Sequence, residues 1–185
     1  MTLLPYLKLL SPLAIIILPL TMACIENVIS TPTQTKTSAP KTFNAIMLNA
    51  PSASSTIAVS PNGKLVVAIN PDSDSITIVD PITLKVLTEI TVGNNPRTLA
   101  ITPDSREVII TNHDDGTISI VDLSNFTEIT RLKVGPMPYG VVSDGKRAYV
   151  SEFAKGNIIA INLKTGSLDA TIKVDPFPSG LALGK

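Results

Sequence analysis

The chain has 185 residues, with 15 basic and 15 acidic side chains, one histidine, one cysteine and no tryptophan. Balanced charge without a basic cluster excludes a nucleic-acid footprint. A single cysteine excludes an internal disulfide, so the fold must rest on its apolar strands.

The N-terminal segment carries Lys8, the apolar run Leu9–Leu20 (LLSPLAIIILPL) and then Thr21-Met22-Ala23-Cys24. A short apolar region ending in a small residue predicts a secretory signal peptide over residues 1–23. It is shorter than the roughly 20 apolar residues a membrane helix needs, and Pro12 and Pro19 interrupt it. Cysteine directly after Ala23 resembles a bacterial lipobox, which implies cleavage before Cys24 and a lipid on its thiol. Leu20 stands four residues before the cysteine, where the usual pattern has leucine three before. Ordinary secretion with a free thiol is therefore the alternative. Ser30–Thr42 (STPTQTKTSAPKT) is rich in Ser, Thr and Pro, so residues 24–42 are expected to be a flexible tether.

Beyond the tether, Ala45–Leu48 could add one outer strand, and from about residue 56 the chain repeats itself. Val92-Gly93-Asn94-Asn95-Pro96 returns as Val134-Gly135-Pro136-Met137-Pro138 and as Val174-Asp175-Pro176-Phe177-Pro178, at steps of 42 and 40 residues. Asp80, Asp122 and Asn162 keep the same step. A fixed period of this length marks stacked copies of one supersecondary unit. One period reads Thr98–Thr102, Glu107–Asn112, Thr117–Asp122 and Glu128–Val134, separated by Pro-Asp-Ser, His-Asp-Asp-Gly and Leu-Ser-Asn turns. Ile, Val and Thr dominate the runs, which predicts consecutive antiparallel hairpins. Four short strands per period is one β-propeller blade.

Ser60-Pro61-Asn62-Gly63-Lys64, Ile109-Ile110-Thr111-Asn112, Ala148-Tyr149-Val150-Ser151 and Ile120-Val121-Asp122 together resemble the YVTN-type β-propeller repeat. Absence of tryptophan speaks against the WD40 type. The third copy departs from the pattern at Ser143-Asp144-Gly145-Lys146, which lacks the turn proline, and at Asn162. The expected fold is all-β: a partial propeller over residues 43–185, with blades near 56–97, 98–139 and 140–179 and the start of another at 180–185. Closed propellers use roughly 4–8 blades, so three make an open arc. Such a chain is a fragment, a part that assembles with others, or a free-standing arc that self-associates through its open blade edges.

Few residues invite chemistry. His113 lies in the turn His113-Asp114-Asp115-Gly116, expected to be a solvated hairpin with glycine left-handed. One histidine beside two acids falls short of a zinc set. Asp72 and Asp74 lack the rest of a calcium loop. Asp80, Asp122 and Asn162 are expected to cap turns as Asx residues. Innermost strands offer hydroxyls only. Catalytic, metal and cofactor sites are therefore expected to be none.

Strand order places the inter-blade links and the second-to-third-strand turns on one propeller face. That face gathers Asn95, Arg97, His113, Asp114, Tyr139, Phe153 and Phe177, a candidate binding surface rich in aromatic and arginine side chains. Packing of Tyr139 and Phe177 between blades is the competing reading. The expected function is an exported, lipid-anchored propeller at the cell surface or in the periplasm. It would bind a protein or cell-envelope ligand without catalysis. A fragment or subunit of a propeller enzyme, lactonase-like or oxidoreductase, is the alternative.

Overall fold

The computed structural model describes residues 53–184. The expected signal peptide, Cys24, the tether and the strand at 45–48 lie outside the described residues. Twelve strands follow one another: β1 (Ile57–Val59), β2 (Val66–Asn70), β3 (Ser75–Asp80), β4 (Lys85–Thr91), β5 (Pro96–Ile101), β6 (Glu107–Asn112), β7 (Thr117–Asp122), β8 (Thr127–Lys133), β9 (Pro138–Ser143), β10 (Arg147–Glu152), β11 (Asn157–Asn162) and β12 (Leu168–Lys173). They pair in chain order into three four-stranded antiparallel sheets, β1–β4, β5–β8 and β9–β12. Among the described residues the only helix is a single 3-10 turn, Pro71–Ser73. The expected partial propeller of three blades is what the chain forms.

Within each sheet the side-chain period of two sends alternate residues to opposite faces, and blades bury one face against each neighbour. Val67, Ile76 and Ile78 of the first sheet pack with Leu99, Ile101, Val108, Ile110 and Val121 of the second. The other face of the second sheet offers Ala100, Ile109, Ile118 and Ile120 to Val141, Ala148, Val150, Ile159 and Ile161 of the third. The middle sheet is thus covered on both sides, whereas the outermost strand β12 is exposed along its whole length.

Turn geometry repeats as strictly as the strands do. Four positive-φ positions recur in every blade at the same 42- and 40-residue steps: Gly63, Ser105, Gly145; Asp74, Gly116, Gly156; Leu84, Phe126, Gly166; and Asn95, Met137, Phe177. Asp80, Asp122 and Asn162 cap the third-to-fourth-strand turns as expected. Their side-chain oxygens accept the N–H groups of Ile82 at 2.7 Å, Ser124 at 2.6 Å and Lys164 at 3.0 Å.

One strand begins earlier than its apolar run: the strand expected from Thr98 opens at Pro96, and its counterpart in the next blade at Pro138, the first residues of β5 and β9, paired with Asn112 and Glu152. A register shift follows each pair. Proline lacks the N–H a ladder needs, and the opening position of a strand tolerates that loss.

A short segment threads the inner edge of the arc. Ser55 exchanges backbone hydrogen bonds with Leu99 of β5, at 2.8 and 3.4 Å, and the N–H of Ser54 donates to the carbonyl of Leu181 at 3.0 Å. Ala53 bridges Ala182 in antiparallel fashion. Residues 53–55 therefore touch both the middle blade and the C-terminal segment.

Candidate functional site

The propeller face is assembled by the links reaching over the turns of their neighbours. The N–H of Asn95 donates to Asp74 Oδ1 at 2.7 Å in the first blade, and that of Asn94 to Asp115 Oδ2 at 2.8 Å in the second. His113 N–H donates back to the carbonyl of Asn95 at 3.1 Å. In the next link the carbonyl of Met137 accepts the N–H of Phe153 at 3.0 Å. Links and second-to-third-strand turns do share one face, as strand order requires.

On that face the side chains form a file. His113 meets Tyr139 edge-on, with ring centroids 6.3 Å apart. Tyr139 lies 5.7 Å from Phe153, and Phe153 lies 5.1 Å from Phe177. These separations and tilts are those at which aromatic rings attract. Phe177 ends the file 64% exposed, while Tyr139 and Phe153 are half-buried. Packing and exposure coexist, so neither reading of these rings stands alone.

Tyr139 is held from beneath. Its carbonyl accepts the hydroxyls of Thr98 and of Thr111, the latter at 2.7 Å, while Thr111 Oγ1 also accepts the N–H of Thr98 at 3.1 Å. Of the inner-strand hydroxyls, that of Thr98 is thus spent on fixing one blade to the next, whereas those of Ser60, Thr102 and Ser143 bond within their own blade's first turn.

His113 departs from expectation. Gly116 is left-handed as the turn requires and Asp114 is exposed, but the imidazole itself is only 12% exposed. His113 Nδ1 lies 2.8 Å from Asp114 Oδ1, and Asn95 Nδ2 donates to the same carboxylate at 3.1 Å. The His113 hydrogen bond, then that of Asn95, hold the Asp114 carboxyl below its ordinary range, with the charges of His113 and Arg97 adding to them. Arg97 occupies in β5 the register that Tyr139 occupies in β9, and its Nε is buried without a hydrogen-bond partner. All seven candidate residues thus lie in one neighbourhood. Six are joined by direct contacts, and Arg97 is joined to Asp114 through its field.

Beside the file is a recess of about 500 Å³, lined by His113, Asp114, Asp115, Gly116, Lys133, Gly135, Pro136 and Met137. Lys133 Nζ donates to the carbonyl of Asp115 at 2.8 Å, closing one wall. Lys133 escaped notice in the sequence because nothing local marks a strand-end lysine. Glu152, which strand order puts on this same face at the end of β10, is buried: its side chain is 4% exposed, and its Oε2 accepts Asn157 Nδ2 at 2.7 Å. Gly135 makes room for it, since a Cβ there would collide with Glu152 Oε1. Among the described residues no three His, Cys, Asp or Glu side chains converge as a metal site would need.

A family model described as Lactonase, 7-bladed beta-propeller, matches residues 21–133. The chain belongs to that family. Solved structures resemble this lactonase-family chain over part of its length. Hydrazine synthase of Kuenenia stuttgartiensis aligns with 31% identity and a TM-score of 0.62, over 65% of this chain and 36% of that one. AztD of Citrobacter koseri aligns with 17% identity and a TM-score of 0.61, over 71% and 38%. The dihydro-heme d1 dehydrogenase NirN, in complex with DHE, aligns with 20% identity and a TM-score of 0.53, over 68% and 29%. The last two likenesses concern the fold alone. The chain spans less than two-fifths of the length of each. No curated protein sequence matches it.

Proposed function

We propose that the chain is a binding module built from YVTN-type blades, exported and held at the cell envelope by a lipid on Cys24. It engages a protein or envelope ligand through the face bearing the aromatic file. The observation that carries this reading is the file itself. His113 and Phe153 come from two separate turns, Tyr139 from the start of β9 and Phe177 from the link after β12, yet they stack as one surface flanked by Arg97 and Asp114. Aromatic rings grouped with arginine are the composition of interface hot spots. The anchoring part rests on Ala23-Cys24 after the apolar run.

Chemical-shift mapping against fractionated envelope protein and peptidoglycan tests the face. Amides of Asn95, His113, Tyr139, Phe153 and Phe177 should move together, and Tyr139→Ala with Phe153→Ala should abolish the response. Shifts confined to another surface would remove the reading. Intact mass and detergent partitioning test the anchor, where a soluble product with an unmodified thiol would refute it.

A second reading has one observation of its own besides family membership. The Nδ1 of His113 is engaged by Asp114, the arrangement that orients an imidazole and leaves Nε2 for a proton. In that reading His113 activates water for opening a lactone ring. Turnover of simple lactones by the purified chain, lost in His113→Ala, would replace the binding module with the enzyme.

A further inference from the structure

Of the chain's four arginines, three face a carboxylate. Arg106 lies 3.9 Å from Asp104, Arg131 3.0 Å from Glu128 and Arg147 2.8 Å from Asp169. Arg97 alone has no such partner among the described residues, and its half-buried side chain holds an Nε that donates to nothing. A guanidinium drawn partly out of water is ordinarily paired. Its strand, β5, belongs to the middle blade, which has a described blade on each side.

The backbone aims this side chain. Pro96 pairs with Asn112 and Leu99 with Ile110, so Arg97 and Thr98 together oppose the single residue Thr111. The third blade repeats the bulge, with Tyr139 and Gly140 opposing Ser151. A hydroxyl steadies each: Thr111 Oγ1 accepts the N–H of Thr98 at 3.1 Å, and Ser151 Oγ that of Gly140 at 2.8 Å. Bulges redirect side chains, and they recur beside sites. In the third blade the redirected residue is Tyr139, the second ring of the file; in the second blade it is Arg97. One period to either side the same register holds Ser55 and Ser179, so Arg97 is the one charge that register carries. Asp114 is near enough for its carboxyl to feel that charge, yet its Oδ1 is engaged by His113 at 2.8 Å and by Asn95 at 3.1 Å.

We propose that Arg97 is the anion subsite of the candidate face, and that it takes the carboxylate of a peptide whose adjoining aromatic side chain lies on the ring file. The proposal rests on the reading of that face as a ligand surface. A guanidinium presents paired N–H groups that match the two oxygens of a carboxylate. One arginine beside Asp114 suits a single negative charge, whereas a phosphate monoester, at about −1.5 to −2, asks for more positive charge than stands there. Rings spaced 5.7 and 5.1 Å apart already pack on one another, and an aromatic side chain next to the carboxylate extends the same stack.

The experiment titrates the 185-residue chain with N-acetylphenylalanine, with its neutral amide and with phenyl phosphate, reading backbone amides and the arginine Nε–Hε resonances by NMR. The acid should move the Arg97 Nε–Hε signal and the amides of Tyr139 and Phe153, and should bind about tenfold tighter than the amide, as a charge-assisted pair requires. Arg97→Gln should make acid and amide bind alike, and Arg97→Lys should restore part of the difference, because it returns the charge without the fork. Amide spectra of both variants report whether the fold is kept, and should Arg97→Gln misfold, Arg97→Lys and the Nε–Hε signal of wild type decide. Equal affinity for acid and amide in wild type, or a preference that survives Arg97→Gln, overturns the subsite while leaving the ring file to its own test against envelope fractions. An unmoved Arg97 signal overturns it too, and phenyl phosphate binding tighter than the acid overturns the carboxylate assignment.

Discussion

Individual residues divide into those that shape turns and those that tie blades together, and only the first kind is visible locally. Asp80, Asp122 and Asn162 could be read from the sequence because an Asx cap needs nothing beyond its own next two residues. The near-burial of His113 could not, since the ring that covers it, Tyr139, arrives from another blade. Thr111 belongs to the tying kind. Thr111→Val keeps the shape but removes a donor to the Tyr139 carbonyl and the acceptor for Thr98 N–H. Urea unfolding should show a loss of about 1–3 kcal/mol, the cost of stranding buried polar groups. Glu107 makes the opposite case. Burial first, and then the charges of Asp104 and Asp122, push its carboxyl above the ordinary value. A carboxyl raised in the fold prefers to be protonated there, so ionising it costs stability. That cost is absent below the unfolded-state pKa and complete once the pH has risen through the folded-state one. Glu107→Gln should therefore melt higher than wild type at about pH 7 and equal to it at about pH 3, by thermal scans in parallel buffers.

At the level of elements, β6 and β7 match the sequence expectation end to end, because hydrophobic alternation and flanking turn residues coincide there. β5 and β9 start two residues before the apolar run does, at a proline that sequence reading assigns to a loop. Pairing with the neighbouring strand decides that, and no local propensity contains it. The glycines two residues past β4 and β8 carry a similar long-range cause. Gly135 has φ 131°, and a methyl group on it would collide with the buried carboxylate of Glu152, which Asn157 holds in place. At Gly93 a Cβ would stand 2.5 Å from Asn112 Nδ2 and Asp115 Oδ2. Gly135→Ala should lower stability by about 2–4 kcal/mol through strain and overpacking. Gly184→Ala, with open space around it, should change nothing in the same denaturant titration.

At the scale of the whole described fold, residues 53–184, three blades in a row behave as a short one-dimensional stack, each unit stabilised by its neighbours. The middle blade has two, the outer blades one each. Amide exchange should therefore be slowest in β6 and β7, whose residues are buried on both sheet faces, and fastest in β4 and β12. Mass spectrometry of exchanged peptides would read this gradient directly, and equal protection across all three blades would contradict the stack. Period and strand pattern made this architecture legible beforehand. The candidate face was legible as a set of residues, yet its continuity was not, because stacking of rings from separate blades depends on how far each blade turns relative to the last.

The segment Ala53–Ser55 has a mechanical consequence. A pull on the chain from its N-terminal side enters the described fold at these residues and not at an exposed strand margin. Its first load falls together on the Ser55–Leu99 pair and the Ser54–Leu181 bond, which belong to the middle blade and the C-terminal segment. Tension must then break contacts at both places before β1 can begin to peel, so the place where load enters the fold is also where it first resists extension.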